Sequence, residues 1–135
     1  MKLIVEADGG SRGNPGPAGY GAVVKDLDGQ VLLERSDGLG RATNNVAEYR
    51  GLIAGLQAAR DLGATEVDVR MDSKLVVEQM SGRWKVKHPD MKPLAAEAAG
   101  LVGGFGTVTF TWVPRAANKD ADALANQAMD AQASA

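Results

Sequence analysis

The sequence predicts an α/β domain, a mixed five-stranded sheet with helices on its faces. Two observations carry this. The opening segment holds three short runs of alternating apolar and polar residues, separated by Gly, Pro, Asn and Asp, which reads as an antiparallel meander. Beyond Gly63, strand-like runs (EVDVRM and TVTFTWV) alternate with helical ones. Right-handed crossovers would lay those later strands parallel onto the meander.

The first strand is read over Lys2–Asp8, with Leu3 and Val5 on one face, and the turn GGSRGNPGPAG follows it. The second strand is Gly19–Lys25. Asp28-Gly29 is a hairpin signal, and Gln30–Arg35 returns antiparallel. Thr43 or Asn44 can N-cap the first long helix. Tyr49, Leu52, Ile53 and Leu56 recur at helical spacing within it, and Leu62-Gly63 suits its end. Glu66–Met71 is the fourth strand. Ser73 can cap a helix through LVVEQM that Gly82 ends. After a basic segment, a further helical stretch runs from Pro93 to Leu101 and is broken by Gly103, Gly104 and Gly106. Thr107–Val113 is the fifth strand and Asp120–Met129 the terminal helix. The tail AQASA has no periodic pattern. The domain is therefore expected over residues 1–130, with 131–135 a disordered tail or the start of a linker.

At 135 residues and 44% apolar content the chain is one domain with an ordinary core. No run approaches the roughly 18 apolar residues of a membrane span. The start, MKLIVEADGG, is not a secretory signal. The absence of Cys excludes disulfides and thiolate metal sites and fits a cytoplasmic location. A net charge of −2 argues mildly against a nucleic-acid binder. The local distribution argues the other way: GRWKVKHPDMK places Arg83, Lys85, Lys87 and Lys92 around Trp84, with Asp90 opposing. Such a segment is either a solvated loop or a contact surface for a phosphate backbone, and the Trp favours the second.

Four acids sit at element ends or early in helices: Asp8, Glu48, Asp72 and Asp122. Acids in such places are usually solvated. If they converge, they repel unless a cation binds them, and a hard oxygen cluster selects Mg²⁺ or Mn²⁺. Leaving these four out turns the net charge from −2 to +2.

Their local words are DGGSRGNPGPAGYG, TNNVAEYRGLIAGL, DSKLVVEQM and RAANKDADALA. In this order they resemble ribonuclease H of type I, in a form without the histidine that many relatives carry after the fifth strand. The resemblance spans Lys2 to about Ala128. It implies strand order 3-2-1-4-5 with strand 2 antiparallel, so that Asp8 and Asp72 stand on adjacent strands. It implies a metal-dependent endonuclease that cuts the RNA strand of RNA/DNA hybrids, leaving 5′-phosphate and 3′-hydroxyl ends. Two Mg²⁺, or Mn²⁺ in their place, would be held by Asp8, Glu48, Asp72 and Asp122. Asp8 would bridge both ions, Asp122 would complete the water-activating site, and Glu48 and Asp72 the leaving-group site. Asp120 rivals Asp122, and the family's D-x-L-A pattern selects Asp122. Glu6 reads as a solvent-side or supporting residue.

On the substrate side, the resemblance assigns contacts to Ser11, Gly13, Asn14, Thr43, Asn44 and Asn45. Thr43 with Asn45 would grip a phosphate of the DNA strand, while Asn14 and Asn44 would reach base edges and 2′-hydroxyls. From the residues alone, Asn14 is a turn residue and Asn44 a helix cap. Trp84, Lys85 and Lys87 match a shortened substrate-binding protrusion. In the loop after the fifth strand, Arg115 is the nearest cation. It could steady the scissile phosphate but cannot act as a base, because it stays protonated. His88 reads as a surface residue. Some relatives carry a phosphatase-like domain after such a tail, so fusion to a further C-terminal domain is one expectation; no membrane or protein partner is evident. Two other functions share the carboxylate plan: a nuclease or strand transferase acting on DNA, and a hybrid-binding module without activity. The three Asn favour RNA, and the presence of all four acids favours catalysis.

Overall fold

The computed structural model describes residues 1–133. Strands β1 (Lys2–Ser11), β2 (Gly16–Lys25) and β3 (Val31–Ala42) form the meander, and α1 (Asn44–Asp61) follows. Then come β4 (Glu66–Met71), α2 (Lys74–Met80), α3 (Lys92–Val102), β5 (Thr107–Trp112) and α4 (Lys119–Ala133). The sheet order is β3-β2-β1-β4-β5. β2 is antiparallel to both neighbours, while β1, β4 and β5 run parallel. This is the predicted mixed sheet.

Helix α1 lies over β1 and β2 and against α3, and α4 crosses β2, β1 and β3. The pleat separates the two layers. Leu3 and Val5 of β1 join Val67, Val69 and Met71 of β4 and Tyr49, Leu52 and Leu56 of α1 in a fully buried core. On the opposite face, small residues meet small residues: Ala121 and Ala128 of α4 rest on Gly21 and Gly19 of β2. That lets α4 lie close to the sheet and brings its first turn beside β1.

The turn chemistry matches the sequence. Asp26 Oδ1 accepts from the backbone N–H of Asp28 and of Gln30, both at 2.9 Å, and closes the β2–β3 hairpin. Of the two candidate caps for α1, Thr43 is the one used; its Oγ1 accepts from Val46 N at 3.3 Å. Ser73 caps α2 in the same way.

Several boundaries differ. β1 runs on to Ser11 and β2 begins already at Gly16, so the turn between them is shorter than GGSRGNPGPAG. β3 is twice the expected length, because Ser36–Ala42 pairs with Gly16–Gly21 of β2 through the backbone, with a register shift between Ala18 and Gly19. This stretch is a sheet edge rich in glycine, so no apolar alternation marks it. The terminal helix continues past Met129 to Ala133, so the expected boundary at residue 130 falls inside α4. Gln132 explains the extension: its Nε2 donates to Ala18 O and its Oε1 accepts from Gly40 N, tying the helix end to β2 and β3. Residues 134 and 135 of the tail lie outside the described residues. No described helix is long and apolar enough to cross a membrane.

Candidate active site

The site forms where the parallel ladder ends. β1 and β4 pair from Lys2 and Glu66 up to Ala7 and Met71. There β4 stops, while β1 continues to Ser11 with β2 alone. Asp8 therefore lies inside β1 rather than at its end, a correction to the sequence reading. What ends beside Asp8 is the neighbouring strand. Asp72 directly follows β4, so the two carboxylates stand at the split.

Glu48 arrives from above, on the second turn of α1. Its approach depends on glycine. A Cβ on Gly9 would lie 2.2 Å from Ala47 C and 2.4 Å from Glu48 N, and one on Gly51 would lie 2.6 Å from Asp8 O. Only bare backbone at these two positions lets α1 sit this low on β1.

Asp122 comes from the first turn of α4. Its Oδ1 accepts from Arg115 Nη2 at 3.3 Å. Asp120, two residues earlier, turns away: Lys25 Nζ lies 2.8 Å from Asp120 Oδ2 and 2.9 Å from Glu6 Oε1. Residues two apart on a helix point about 200° apart, so the Lys25 bridge holds Asp120 away while Asp122 faces the cleft. Glu6, on the Asp8 face of β1, is a partner of Lys25.

Asn118 was missed in the sequence reading. It is completely buried. Its Nδ2 donates to Ala7 O at 2.9 Å and to Asp72 Oδ1 at 3.1 Å. One amide thus spans the β1–β4 split and orients Asp72. Trp112 adds a second hold on the same residue, its indole N–H donating to Asp72 O at 3.2 Å. The one available signal was an Asn just ahead of a helix, which reads as a cap.

These elements enclose a cleft of about 390 Å³ lined by Asp8, Glu48, Asp72 and Asp122, with Arg12 and Arg115 its cationic side chains. One carboxylate oxygen from each of Asp8, Glu48 and Asp72 lies within 4.8 Å of the others. Asp122 is outside that trio but lines the same cleft and acts on the Asp8 carboxyl. Burial, then the charge of Asp72 and the contact with Asp122, push the Asp8 carboxyl up to about 8, against the backbone N–H of Gly9, which lowers it. Burial, then the charges of Asp8 and Asp72, hold Glu48 well above the usual carboxylate range. Glu48 Oε2 is buried without a hydrogen-bond partner. A buried acceptor with no donor, among converging like charges, fits a hard divalent cation.

A family model described as "Reverse transcriptase-like" matches residues 6–128. The chain is 66% identical over 134 residues to the bifunctional protein Rv2228c of Mycobacterium tuberculosis, covering 98% of this chain and 37% of that protein. The solved N-terminal RNase H domain of that protein, a fusion with maltose-binding protein, superposes with a TM-score of 0.97 at 64% identity, covering 100% of this chain and 99% of that one. Ribonuclease HI of Halobacterium salinarum is 50% identical over 123 residues, 91% of this chain and 62% of that protein. The chain belongs to the ribonuclease H family. A third member, LC11-RNase H1 isolated from compost, was solved in complex with an RNA/DNA hybrid; it matches with a TM-score of 0.91 at 44% identity, covering 96% of this chain and 98% of that one.

The other residues singled out for a ribonuclease H divide into two groups. Ser11, Asn14 and Asn44 form one hydrogen-bonded unit, of which Ser11 and Asn44 line the cleft, while Thr43 bonds within α1 as its cap. Ser11 N donates to Asn44 Oδ1 at 2.7 Å, Ser11 Oγ to Ala42 O at 2.7 Å, and Asn44 N to Asn14 Oδ1 at 3.0 Å. The oxygens of both Asn thus serve the fold, leaving their amide N–H₂ groups for other partners. Gly13, at φ +105°, shapes the turn, and Asn45 is half-buried at the start of α1. Trp84, Lys85 and Lys87 do not line the cleft. Trp84 is 45% exposed. Arg83 is paired within the segment: its guanidinium donates to both oxygens of Glu78, with Nη2 to Oε1 at 3.0 Å. The sequence reading had overlooked Glu78 as its counterion. Lys85, Lys87 and Lys92 make no ion pair among the described residues. His88 accepts from Asp90 N, away from the cleft.

Proposed function

We propose that this chain hydrolyses the RNA strand of RNA/DNA hybrids, leaving 5′-phosphate and 3′-hydroxyl ends. The observation that carries the reading is the converging trio of buried Asp8 and half-buried Glu48 and Asp72 beside Asp122, set next to a unit of amide side chains. Asp8, Glu48, Asp72 and Asp122 would hold two Mg²⁺, with Mn²⁺ a substitute. Bound there, such ions supply charge neutralisation at phosphorus, a nucleophilic water and a stabilised leaving oxygen.

The chain's own residues do the rest. Asn118 and Trp112 hold Asp72 in place from two directions. The N–H₂ groups of Asn14 and Asn44 meet base edges and 2′-hydroxyls, the groups that distinguish RNA from DNA. Arg115 faces the phosphate as a fixed positive charge. The exposed Trp84, with Lys85 and Lys87 beside it, meets the backbone of the DNA strand. The hybrid complex of LC11-RNase H1 supports this substrate class. The absence of cysteine supports a cytoplasmic setting.

The test is cleavage of four end-labelled duplexes of one sequence: hybrid, RNA, DNA, and DNA with one ribonucleotide. Mg²⁺ or Mn²⁺ is supplied, and Asp72→Asn is the control. Hybrid cleavage should fall at least a hundredfold in the variant, about 2.7 kcal/mol of barrier. Equal cutting of hybrid and pure DNA would favour a DNA nuclease. Hybrid binding without cutting under either metal would favour a binding module.

A further inference from the structure

Two cations line the acid cleft, and they are differently placed. Arg115 is tied to Asp122, one of the acids themselves. Arg12, in the β1–β2 turn, is tied elsewhere. Its Nη2 lies 2.8 Å from Asp130 Oδ1 and donates to Asn126 Oδ1 at 3.2 Å. Asn126 in turn donates to Asp122 O at 3.0 Å. Positions 122, 126 and 130 form one stripe of α4, a turn apart, each turn rising about 5.4 Å. The guanidinium therefore lies along α4, just beyond the acid cluster.

The backbone of Arg12 is fixed. Its N–H donates to Pro17 O at 2.9 Å. The turn closes so tightly that a Cβ on Gly16 would fall 1.8 Å from Arg12 O. The side chain is not fixed in the same way. Arg12 and Asp130 side chains are 48% and 64% exposed, and an exposed pair of this kind contributes little. A phosphate could displace Asp130 at small cost, and it matches the planar fork of an arginine better than a solvated carboxylate does.

We infer that Arg12 is a further substrate-positioning residue: it exchanges Asp130 for a phosphate of the strand being cut, next to the scissile one. The inference rests on the hybrid-hydrolase reading above, which makes that strand RNA. In it, Asp130 keeps the guanidinium extended along α4 until substrate arrives.

The test compares Arg12→Gln, Arg12→Lys and Asp130→Asn with wild type. Readouts are hybrid cleavage at a series of salt concentrations, hybrid affinity in EDTA, and Tm. Arg12→Gln should raise KM about tenfold, as expected for losing a charged hydrogen bond less a weak surface pair. Its kcat should stay within about twofold, and the salt slope of hybrid affinity should fall by about 0.7–0.9. Arg12→Lys should retain the salt slope and lose part of the KM effect. Asp130→Asn should lower KM, because the competing carboxylate is gone. If Arg12→Gln and Asp130→Asn both lower Tm and shift KM in the same direction, Arg12 is only a latch between the turn and α4, and the inference fails. Failure of the hydrolase reading looks different. Wild type would not cut, while the affinity loss in Arg12→Gln would still establish the phosphate contact.

Discussion

Without divalent metal, raising the pH should destabilise this protein. Asp8 is pushed up to about 8, so the folded state keeps its proton well above the pH at which an unfolded aspartate has lost it. Between those two values the folded state binds more protons than the unfolded chain, so stability falls as pH rises. The contribution is fully present below about pH 4 and is lost on passing pH 8. One such group changes stability by about 1.4 kcal/mol per pH unit, so Asp8 removes about 3–4 kcal/mol between pH 5 and 8. For a domain of this size, Tm moves by about 3 °C per kcal/mol, a drop near 10 °C. Glu48 acts in the same direction. The assay is thermal unfolding followed by circular dichroism in EDTA at pH 5, 6, 7 and 8, for wild type and Asp8→Asn. The variant carries no titrating group at position 8 and also relieves Glu48, so its profile should be much flatter. Mg²⁺ at a hundred times its Kd should add about 2.7 kcal/mol at pH 8 and much less at pH 5, where protons compete for the same oxygens. A wild-type-to-variant Tm difference that is constant from pH 5 to 8 would refute the account.

Asn118→Ala should lower stability by about 3 kcal/mol in chemical denaturation, since it leaves Ala7 O buried without a donor and removes a bond to a carboxylate. It should also lower kcat by loosening Asp72. Unchanged kcat would mean that Trp112 alone positions Asp72. Asp122→Asn should cripple hybrid cleavage, whereas Asp120→Asn should cost at most about 1 kcal/mol of stability through its exposed bond to Lys25 and leave turnover intact. The reverse ranking would place the wrong acid in the cleft. Neutralising Lys85 and Lys87 together should raise KM more than it changes kcat and reduce the salt slope by about 1.4–1.8; an unchanged slope would make the segment a solvated loop.

The fold was legible where side chains alternate or recur. Leu3 with Val5, Val67 with Val69, and Tyr49 through Leu56 each announce a buried face. The second half of β3 was not legible, because its pairing uses backbone groups and its side chains face solvent. Within the site, each acid could be placed on its element. The sequence does not reveal that β1 outruns β4, which is why Asp8 looked like a strand end. Asn118 was hidden for a related reason: its partners, Ala7 O and Asp72, are far away in sequence and meet it only after the sheet has formed. Arg83 looked like part of a basic patch until Glu78, five residues earlier, proved to be its partner across the end of α2.

The contact of α1 with bare backbone at Gly9 sets a limit on how the acid cluster can relax. Carbon atoms ordinarily rest near 3.5 Å apart, and a methyl at position 9 would sit at 2.2 Å, so Gly9→Ala would lift the helix start by about 1 Å. The spacing of Glu48 from Asp8 is thus inherited from two stiff elements in contact rather than from flexible side chains. Three like charges on such a frame cannot ease their repulsion by drifting apart. Their remaining outlets are a proton or a cation, and the rigidity of the scaffold turns mutual repulsion into affinity for whichever positive species reaches it.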